Sequence, residues 1–237
     1  MNIKVGCCGF PVSMKKYFEN LKLVEVQKTF YDPPSLKTVK KWRENAPNDF
    51  EFSIKAWQVI THPPNSPTFK RMKRKNKITD CGFFKPIKEV FNAWDKTKEI
   101  ADTLNAKVIL FQTPKSFKDN KENMNNMREF FSSLEKKYIF VWEPRGWRLE
   151  NVKTICQELN LIHCVDPFIE KPCYGNIAYL RLHGSHAKMY KHKYTDDELK
   201  WLMQFVKELG KSEIYVLFNN VYMYEDSLRF LNNLKEH

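Results

Sequence analysis

The sequence is poor in glycine and has no glycine-rich phosphate-binding loop. Its 237 residues include 7 glycines, and no Gly-x-Gly-x-x-Gly or Walker-type motif follows the first predicted strand. Dinucleotide-binding and P-loop folds are therefore disfavoured. No apolar run approaches the ~20 residues that span a bilayer, and the N-terminus lacks the apolar core of a signal peptide. We expect a cytoplasmic protein without a membrane partner, and the sequence does not indicate an oligomeric state.

The six cysteines lack the spacing of a metal site. They stand at positions 7, 8, 81, 156, 164 and 173, with no Cys-x-x-Cys pair and no zinc-ribbon pattern. In a reducing compartment such cysteines are mostly small buried hydrophobes. We therefore expect neither a structural zinc nor a redox cofactor from them.

Eight short apolar runs alternate with helical stretches along the chain. They cover residues 3–9, 23–27, 50–55, 108–112, 138–143, 162–166, 177–183 and 214–219. This alternation predicts an α/β fold, a (β/α)8 TIM-type barrel, in one domain over residues 1–237. The first helix should be short, and the sixth crossover helix should be missing because residues 167–175 are too few for one. An open doubly wound sheet is the competing fold, but it usually carries the glycine-rich loop that is lacking.

The seventh predicted strand places polar side chains on one face. Its sequence, Tyr-Leu-Arg-Leu-His-Gly over residues 179–184, puts Leu180 and Leu182 on one side and Tyr179, Arg181 and His183 on the other. An arginine and a histidine are costly to bury without partners. A structural ion pair would explain them, and so would an active site at the end of the strand.

Polar residues also end the other strands. In a TIM barrel the active site forms at the carboxyl ends of the strands. The inward-facing candidates there are Glu25, Gln27, Ser53, Lys55, Gln112, Glu143, Asp166 and Asn219, with Arg145 just after strand five. Taken singly, Glu25 and Lys55 could form a buried ion pair, and His183 could be a core histidine. Together the strand ends predict one pocket that holds Glu25, Lys55, Glu143, Arg181 and His183.

Several strings also resemble one protein family. They are residues 24–31 (VEVQKTFY), 52–55 (FSIK), 60–62 (ITH), 111–114 (FQTP), 142–145 (WEPR) with Trp147, 179–184 and 218–220 (FNN). Together, over nearly the whole chain, they resemble the YecE-like family, the domain of unknown function seventy-two. The chain departs from the usual family pattern at residues 7–10, where serine and tryptophan are common, and at Gln27, where asparagine is frequent.

The resemblance implies a TIM-type barrel whose shared residues gather at one mouth. The residues that it carries over are Glu25, Lys55, His62, Gln112, Glu143, Arg145, Arg181, His183 and Asn219. It implies no particular reaction, although a distant likeness to endonuclease IV-type barrels has been suggested for the family.

These residue types favour a metal-free enzyme, a hydrolase or a lyase, that acts on an anionic substrate. Arginine binds phosphate or carboxylate by its fork, and lysine binds it as a point charge. The candidates for binding the anionic group are Lys55, His62, Gln112, Arg145, Arg181 and Asn219. The candidates for general acid and base catalysis are Glu25, Glu143 and His183. Two carboxylates would also suit glycoside hydrolysis, but such sites rarely need this much positive charge.

A metal-dependent, endonuclease-like hydrolase is one alternative. It needs several histidines and carboxylates at one mouth. Alternation turns His163 away from Asp166 and toward the helices, which leaves too few histidines for a multi-zinc cluster. A single metal held by His183, Glu143 and Asp166 stays open, but the favoured site uses no metal and no cofactor.

A non-catalytic protein that binds nucleic acid or another polyanion is the other alternative. The chain has 40 Lys+Arg against 28 Asp+Glu, a net charge of +12, which attracts polyanions. Six of the eight residues 70–77 are basic and lie between Trp57 and two phenylalanines at 83–84, which could stack on bases. Otherwise such a run is a solvated face. The nucleic-acid-binding candidates are Lys70, Arg71, Lys73, Arg74, Lys75 and Lys77.

Overall fold

Eight parallel strands close into one barrel in the computed structural model, which describes residues 1–72 and 78–235. The strands are β1 (Asn2–Cys7), β2 (Leu23–Val26), β3 (Glu51–Lys55), β4 (Val108–Gln112), β5 (Ile139–Glu143), β6 (Ile162–Val165), β7 (Ile177–Leu182) and β8 (Glu213–Phe218). They pair in chain order, and β8 closes on β1 with Asn2 opposite Glu213 and Cys7 opposite Phe218. The predicted (β/α)8 TIM-type fold is confirmed.

Some strands end one residue earlier than the sequence predicts, because the backbone of the next residue does not continue the hydrogen bonds between strands. Gln27 has the helical backbone angles φ −80° and ψ −26° and starts a short helix. The backbone N–H of His183 donates to the carboxylate of Asp166, at 2.8 Å, instead of to a neighbouring strand. Gln27 and His183 therefore lie just after their strands, on the segments that form the barrel mouth.

Helices surround the barrel in the part of the chain that the structure describes. They are α1 (Met14–Asn20), α2 (Lys28–Tyr31), α3 (Leu36–Asn45), α4 (Gln58–Thr61), α5 (Lys88–Leu104), α6 (Lys121–Ser132), α7 (Leu149–Leu159), α8 (Asp196–Glu208) and α9 (Met223–Lys235). The side chain of Ser35 caps α3, and Thr195 with Glu198 forms a capping box at α8. No helix of the described residues is long and apolar enough to cross a membrane.

The connection from β6 to β7 contains no helix over residues 166–176, all of which the structure describes. This loop covers the outward face of β6 itself. Nδ1 of His163 accepts a hydrogen bond of 3.2 Å from the backbone N–H of Cys173, and the backbone N–H of His163 donates to the carbonyl of Tyr174 at 3.4 Å. His163 thus faces away from the barrel interior, as alternation predicts.

The strand side chains form an inner and an outer layer. Tyr179 on β7 packs inside the barrel with Leu23, Val141 and Tyr215, and its ring stacks on that of Tyr215 at 5.5 Å. Leu180 and Leu182 point outward and pack in the apolar cluster that includes α8 residues Leu199 and Leu202. Arg181, two residues beyond Tyr179, therefore extends into the barrel at its carboxyl end.

Candidate functional site

Arg181 is the centre of a buried charge cluster at the barrel mouth. Its side chain is 1% exposed, its Nη2 lies 3.1 Å from Oε1 of Glu25, and its Nη1 pairs with Oε2 of Glu143. The two carboxylates outweigh the effect of burial and raise the pKa of the guanidinium well above its ordinary value. Its Nε–H is buried and has no hydrogen-bond acceptor among the described residues, and the guanidinium also acts on the neighbouring Cys8 thiol. One donor of Arg181 thus stays unpaired in the described chain.

Glu25 lies deeper than Arg181 and is fully buried. The hydroxyl of Tyr179 donates to its Oε2 at 2.7 Å, and the amide of Gln27 donates to its Oε1. The hydroxyls of Tyr179 and Ser53 are 2.9 Å apart and extend the network downward. With both oxygens engaged, Glu25 supports Arg181 from below.

Glu143 is held by two arginines. Arg181 pairs with one carboxylate oxygen and Arg145 with the other. Burial alone would raise the pKa of Glu143, but the charges of Arg181 and Arg145 hold that pKa well below its ordinary value. Glu143 is therefore an anion across the physiological range and a poor proton donor.

His183 is held between Asp166 and Arg181. Its Nδ1 lies 3.3 Å from Oδ2 of Asp166, and its Nε2 lies 3.5 Å from Nη1 of Arg181 and 4.0 Å from Oε1 of Glu143. A guanidinium can only donate, so the contact with Arg181 favours the tautomer in which Nε2 accepts and Nδ1–H donates to Asp166. In this tautomer the nitrogen at the mouth is the basic one, an arrangement that suits a general base.

Lys55 is the buried cation at the mouth without a carboxylate partner in the described chain. It is 4% exposed, its Nζ donates to Oε1 of Gln112 at 2.6 Å, and it lies 3.9 Å from the ring centroid of Phe30. Burial is the main cause that lowers the pKa of Lys55 to about 8, and the positive charge of Arg181 is the second. Burial and the charge of Lys55 lower the pKa of His62 to about 3, so that imidazole is neutral.

Two cavities open between the strand ends, where the sequence predicts one pocket. The lysine cavity, of about 420 Å³, is lined by Gln27, Phe30, Tyr31, Lys55, His62, Thr68, Arg71, Gln112, Arg181, Tyr190 and Asn219. The histidine cavity, of about 430 Å³, is lined by Lys115, Glu143, Pro144, Arg145, Gly146, Cys164, Val165, Asp166, Ile169, Glu170, His183, Gly184 and Met189. Contact between Arg181 and His183 joins the walls of the two cavities.

The predicted site residues divide between these cavities. The lysine cavity receives Lys55, His62, Gln112, Arg181 and Asn219, and the histidine cavity receives Glu143, Arg145 and His183. Glu25 lines neither. Of the predicted nucleic-acid contacts, Arg71 lines the lysine cavity with its guanidinium carbon 4.9 Å from the ring centroid of Tyr31, and Lys70 is exposed. Lys73, Arg74, Lys75 and Lys77 lie outside the described residues.

Tyr190 is a site residue that the strand-end argument misses. It lies on the loop after β7 with φ +64°, a left-handed conformation that is uncommon for tyrosine. Its N–H donates to the carbonyl of His183 at 2.6 Å, and its ring meets the imidazole edge-on at 5.8 Å. Tyr190 lies outside the strands, so the alternation of strand side chains gives no signal for it. Only the path of the loop brings it to the mouth.

The carboxylates of the mouth are engaged by protein cations and N–H groups. Among residues 1–72 and 78–235, no three His, Cys, Asp or Glu side chains are grouped so that they could hold a metal ion. Both oxygens of Glu143 pair with arginines, and Asp166 accepts from His183 and from the backbone N–H of Phe168 at 3.1 Å. A metal here would have to displace two guanidinium groups.

The closed parallel barrel and its polar mouth define a TIM-type barrel protein with a candidate ligand site. The model of the family described as "Protein of unknown function DUF72" matches residues 11–237, so the chain belongs to that family. The family predicted from the sequence motifs is thereby confirmed.

Relatives and solved structures agree with this assignment. The UPF0759 protein YunF of Bacillus subtilis is 21% identical over an alignment of 243 positions, gaps included, which covers 87% of this chain and 80% of YunF. The crystal structure of a DUF72 family protein from Enterococcus faecalis is 20% identical and superposes with a TM-score of 0.77 over 99% of this chain and 98% of its own. Endonuclease IV of Thermus thermophilus, 9% identical with a TM-score of 0.54 over 100% and 99% of the two chains, shares the fold alone.

Proposed function

We propose that this protein is an enzyme that binds a small substrate with a phosphate or carboxylate group and acts on it by proton transfer without a metal. The observation that carries the proposal is Lys55, a buried ammonium that lines a cavity of about 420 Å³ and has no carboxylate partner in the described chain. Burying a cation without a counter-ion is costly, and an anionic ligand would remove that cost.

Two further groups of the lysine cavity support an anionic ligand. Arg71 lies at the rim, stacked over Tyr31, and the buried guanidinium of Arg181 lines the same cavity. Lysine and arginine donors arranged around a cavity bind phosphate or carboxylate oxygens. Gln112 and Asn219 complete the lining with neutral amides that can bind the rest of a polar substrate.

His183 is the group best suited to transfer the proton. Its Nε2 is the accepting nitrogen of the tautomer that Asp166 favours from the opposite side of the ring. Glu143 and Glu25, which the sequence also suggests as acid or base, are bound to Arg181, and we assign them the role of holding that arginine in place. Arg181 lines the lysine cavity and contacts His183, so we propose that a substrate anchored near Arg181 extends to the imidazole.

Binding and turnover can be tested with separate variants. Isothermal titration with inorganic phosphate and pyrophosphate should show binding to the native chain and at least tenfold weaker binding to Lys55→Met. Lys207→Met, which removes an exposed lysine of α8, is the matched control and should bind normally. Conversion should then be followed by mass spectrometry in a pool of phosphorylated and carboxylated metabolites. His183→Gln should keep the binding and lose the conversion, whereas a native chain that changes no metabolite would contradict the enzyme proposal.

Polyanion binding is the second candidate, and Arg71 is the observation that favours it. The basic segment 70–77 begins at the rim of the lysine cavity, because Arg71 lines that cavity while Lys70 is exposed beside it. A protein that neutralises phosphates releases counter-ions, so its affinity falls linearly on a log–log plot against salt. Lys70→Gln/Arg71→Gln should reduce the salt slope for single-stranded DNA by about 1.4 if both residues contact phosphates. An unchanged slope would rule these two contacts out.

A further inference from the structure

Two lysines lie within the barrel, at opposite ends, and their partners differ. Lys4, on β1 at the amino end, lies 2.6 Å from Oε1 of Glu213 and also pairs with Glu51. Lys55, on β3 at the carboxyl end, has an amide oxygen and an aromatic ring as neighbours, and no acid in the described chain pairs with it. The two carboxylates hold Lys4 as a structural cation, whereas the amine of Lys55 lies beside a cavity.

We propose that Lys55 is a covalent catalytic residue, whose amine forms an imine with the carbonyl carbon of an aldehyde or ketone that also bears a phosphate or carboxylate group. This inference rests on the proposed function, because it uses the same cavity to hold the anionic group. It adds a substrate class, the anionic carbonyl compounds, and a type of chemistry that proton transfer alone does not require.

The surroundings of Lys55 suit this reaction. An amine attacks a carbonyl only when it is unprotonated, and a neighbouring cation or a desolvated site makes the free amine accessible near neutral pH. Arg181 and burial have this effect on Lys55, whose pKa falls to about 8, while the pair of acids raises the pKa of Lys4 against the effect of its own burial. Gln112 accepts a hydrogen bond from Nζ and so holds the amine at the cavity wall.

The step balances without any further reagent. The lone pair of Nζ forms a bond to the carbonyl carbon, the carbonyl oxygen leaves as water with the two protons of the amine, and a C=N bond remains. Arg71, at the rim of the same cavity, stays available for the anionic group after Lys55 has reacted. The imine nitrogen then takes a proton from water, and the resulting iminium draws electrons from the adjacent carbon, whose proton His183 is proposed to accept.

Pyridoxal 5′-phosphate with sodium borohydride is a direct probe, since it carries both an aldehyde and a phosphate. Hydride reduces an imine at its carbon and leaves a stable secondary amine that peptide mass spectrometry can locate. In the folded native chain we expect modification of Lys55 at least tenfold above that of Lys4 and of exposed Lys207, and suppression by excess inorganic phosphate. Lys55→Arg, which keeps a positive charge, should lose this modification and keep its circular dichroism spectrum.

The pH profile gives a second measurement that does not depend on a variant. Modification of Lys55 should rise with pH with a midpoint near 8, the pKa at which half of the amine is free. The titratable and charged groups that face Lys55 are Cys8, Glu25, His62, Glu143 and Arg181. An unmodified Lys55, while exposed lysines react, would overturn the inference.

The two proposals fail differently. If inorganic phosphate binds the native chain in a Lys55-dependent manner and Lys55 stays unmodified, the covalent role is wrong and the anion site stands. If Lys55 reacts equally well with pyridoxal, which lacks the phosphate, and excess phosphate does not compete, the amine chemistry stands and the anion site is wrong.

Discussion

Oδ2 of Asp166 accepts two hydrogen bonds from one residue, His183: the backbone N–H donates at 2.8 Å and the imidazole Nδ1 at 3.3 Å. The carboxylate thereby fixes both the start of the loop after β7 and the orientation of the ring. One carboxylate oxygen of Asp166 thus sets both the backbone path and the tautomer of His183. The geometry of this proposed base therefore depends on β6, the strand that precedes Asp166.

Replacing Asp166 by alanine should release the imidazole of His183. Nδ1–H then loses its acceptor, and a buried backbone N–H is left unpaired, which costs about 1–3 kcal/mol of unfolding free energy. Long-range ¹H–¹⁵N spectra should show the Nδ1–H tautomer in the native chain and a larger share of Nε2–H in Asp166→Ala. Identical imidazole spectra of the two proteins would show that Asp166 does not set the tautomer.

Arg181→Met should be strongly destabilising. It leaves Glu25 and Glu143 buried with their main counter-ion removed, and breaking a buried ion pair on one side costs about 3–5 kcal/mol. The control is Arg128→Met, whose partner Glu158 is 40% exposed, for which we expect a change of about 1 kcal/mol or less. Urea denaturation measures both; equal losses in the two variants would contradict the central role of Arg181.

Glu143 should make stability depend on pH in the acid range. Its pKa is lower in the folded chain than the ordinary value of 4.5 that applies after unfolding. Its contribution is therefore fully present above about pH 4.5 and is lost as the pH falls below that value. The difference in unfolding free energy between the native chain and Glu143→Gln should shrink from pH 5 downward, with exposed Glu122→Gln as the control for loss of a charge. A difference that stays constant to about pH 3 would exclude this coupling.

Lys55→Met should stabilise the protein while it abolishes the proposed function. The pKa of Lys55 is about 8 in the folded chain against an ordinary 10.5, so the folded state disfavours its charge below pH 8. Removing that charge should raise the unfolding free energy at pH 7 by about 1–3 kcal/mol, and the gain should fade between pH 8 and 10.5. Lys4→Met is the matched comparison and should lose stability, because it leaves Glu51 and Glu213 without their lysine. A less stable Lys55→Met would refute the argument.

Strand parity predicts the inward residues well. Tyr179, Arg181 and His183 follow the period of two on β7, and Leu180 and Leu182 pack outward, as expected from sequence. The prediction succeeds because the side chains of a strand point to only two sides. In a strand that is buried on both sides, the residue types alone show which side is polar.

The alternation of strand side chains predicts neither how deep a residue lies in the barrel nor the shape of the mouth. Glu25 shares the inward face with Arg181, yet it lies beneath it and is fully buried, because strands of a barrel are staggered. Two cavities replace the expected pocket, lined on one side by Tyr190 and on the other by Met189. The path of that loop depends on distant contacts such as the N–H of Val221, which donates to the carbonyl of Tyr190 at 2.8 Å. No local sequence pattern encodes such a contact.

Because the connection after β6 contains no helix, we expect β6 to open by local unfolding before β7 and β8. Strand β6 has 4 residues, against 6 in β7 and in β8, and an irregular loop instead of a helix shields its outward face. Segments with little regular structure packed on them open at lower free energy than the core. Amide hydrogens of residues 162–165 should therefore exchange with deuterium before those of β7 and β8. Since Asp166 directly follows this strand, each such fluctuation would detach the carboxylate from His183 and switch the imidazole out of its working orientation.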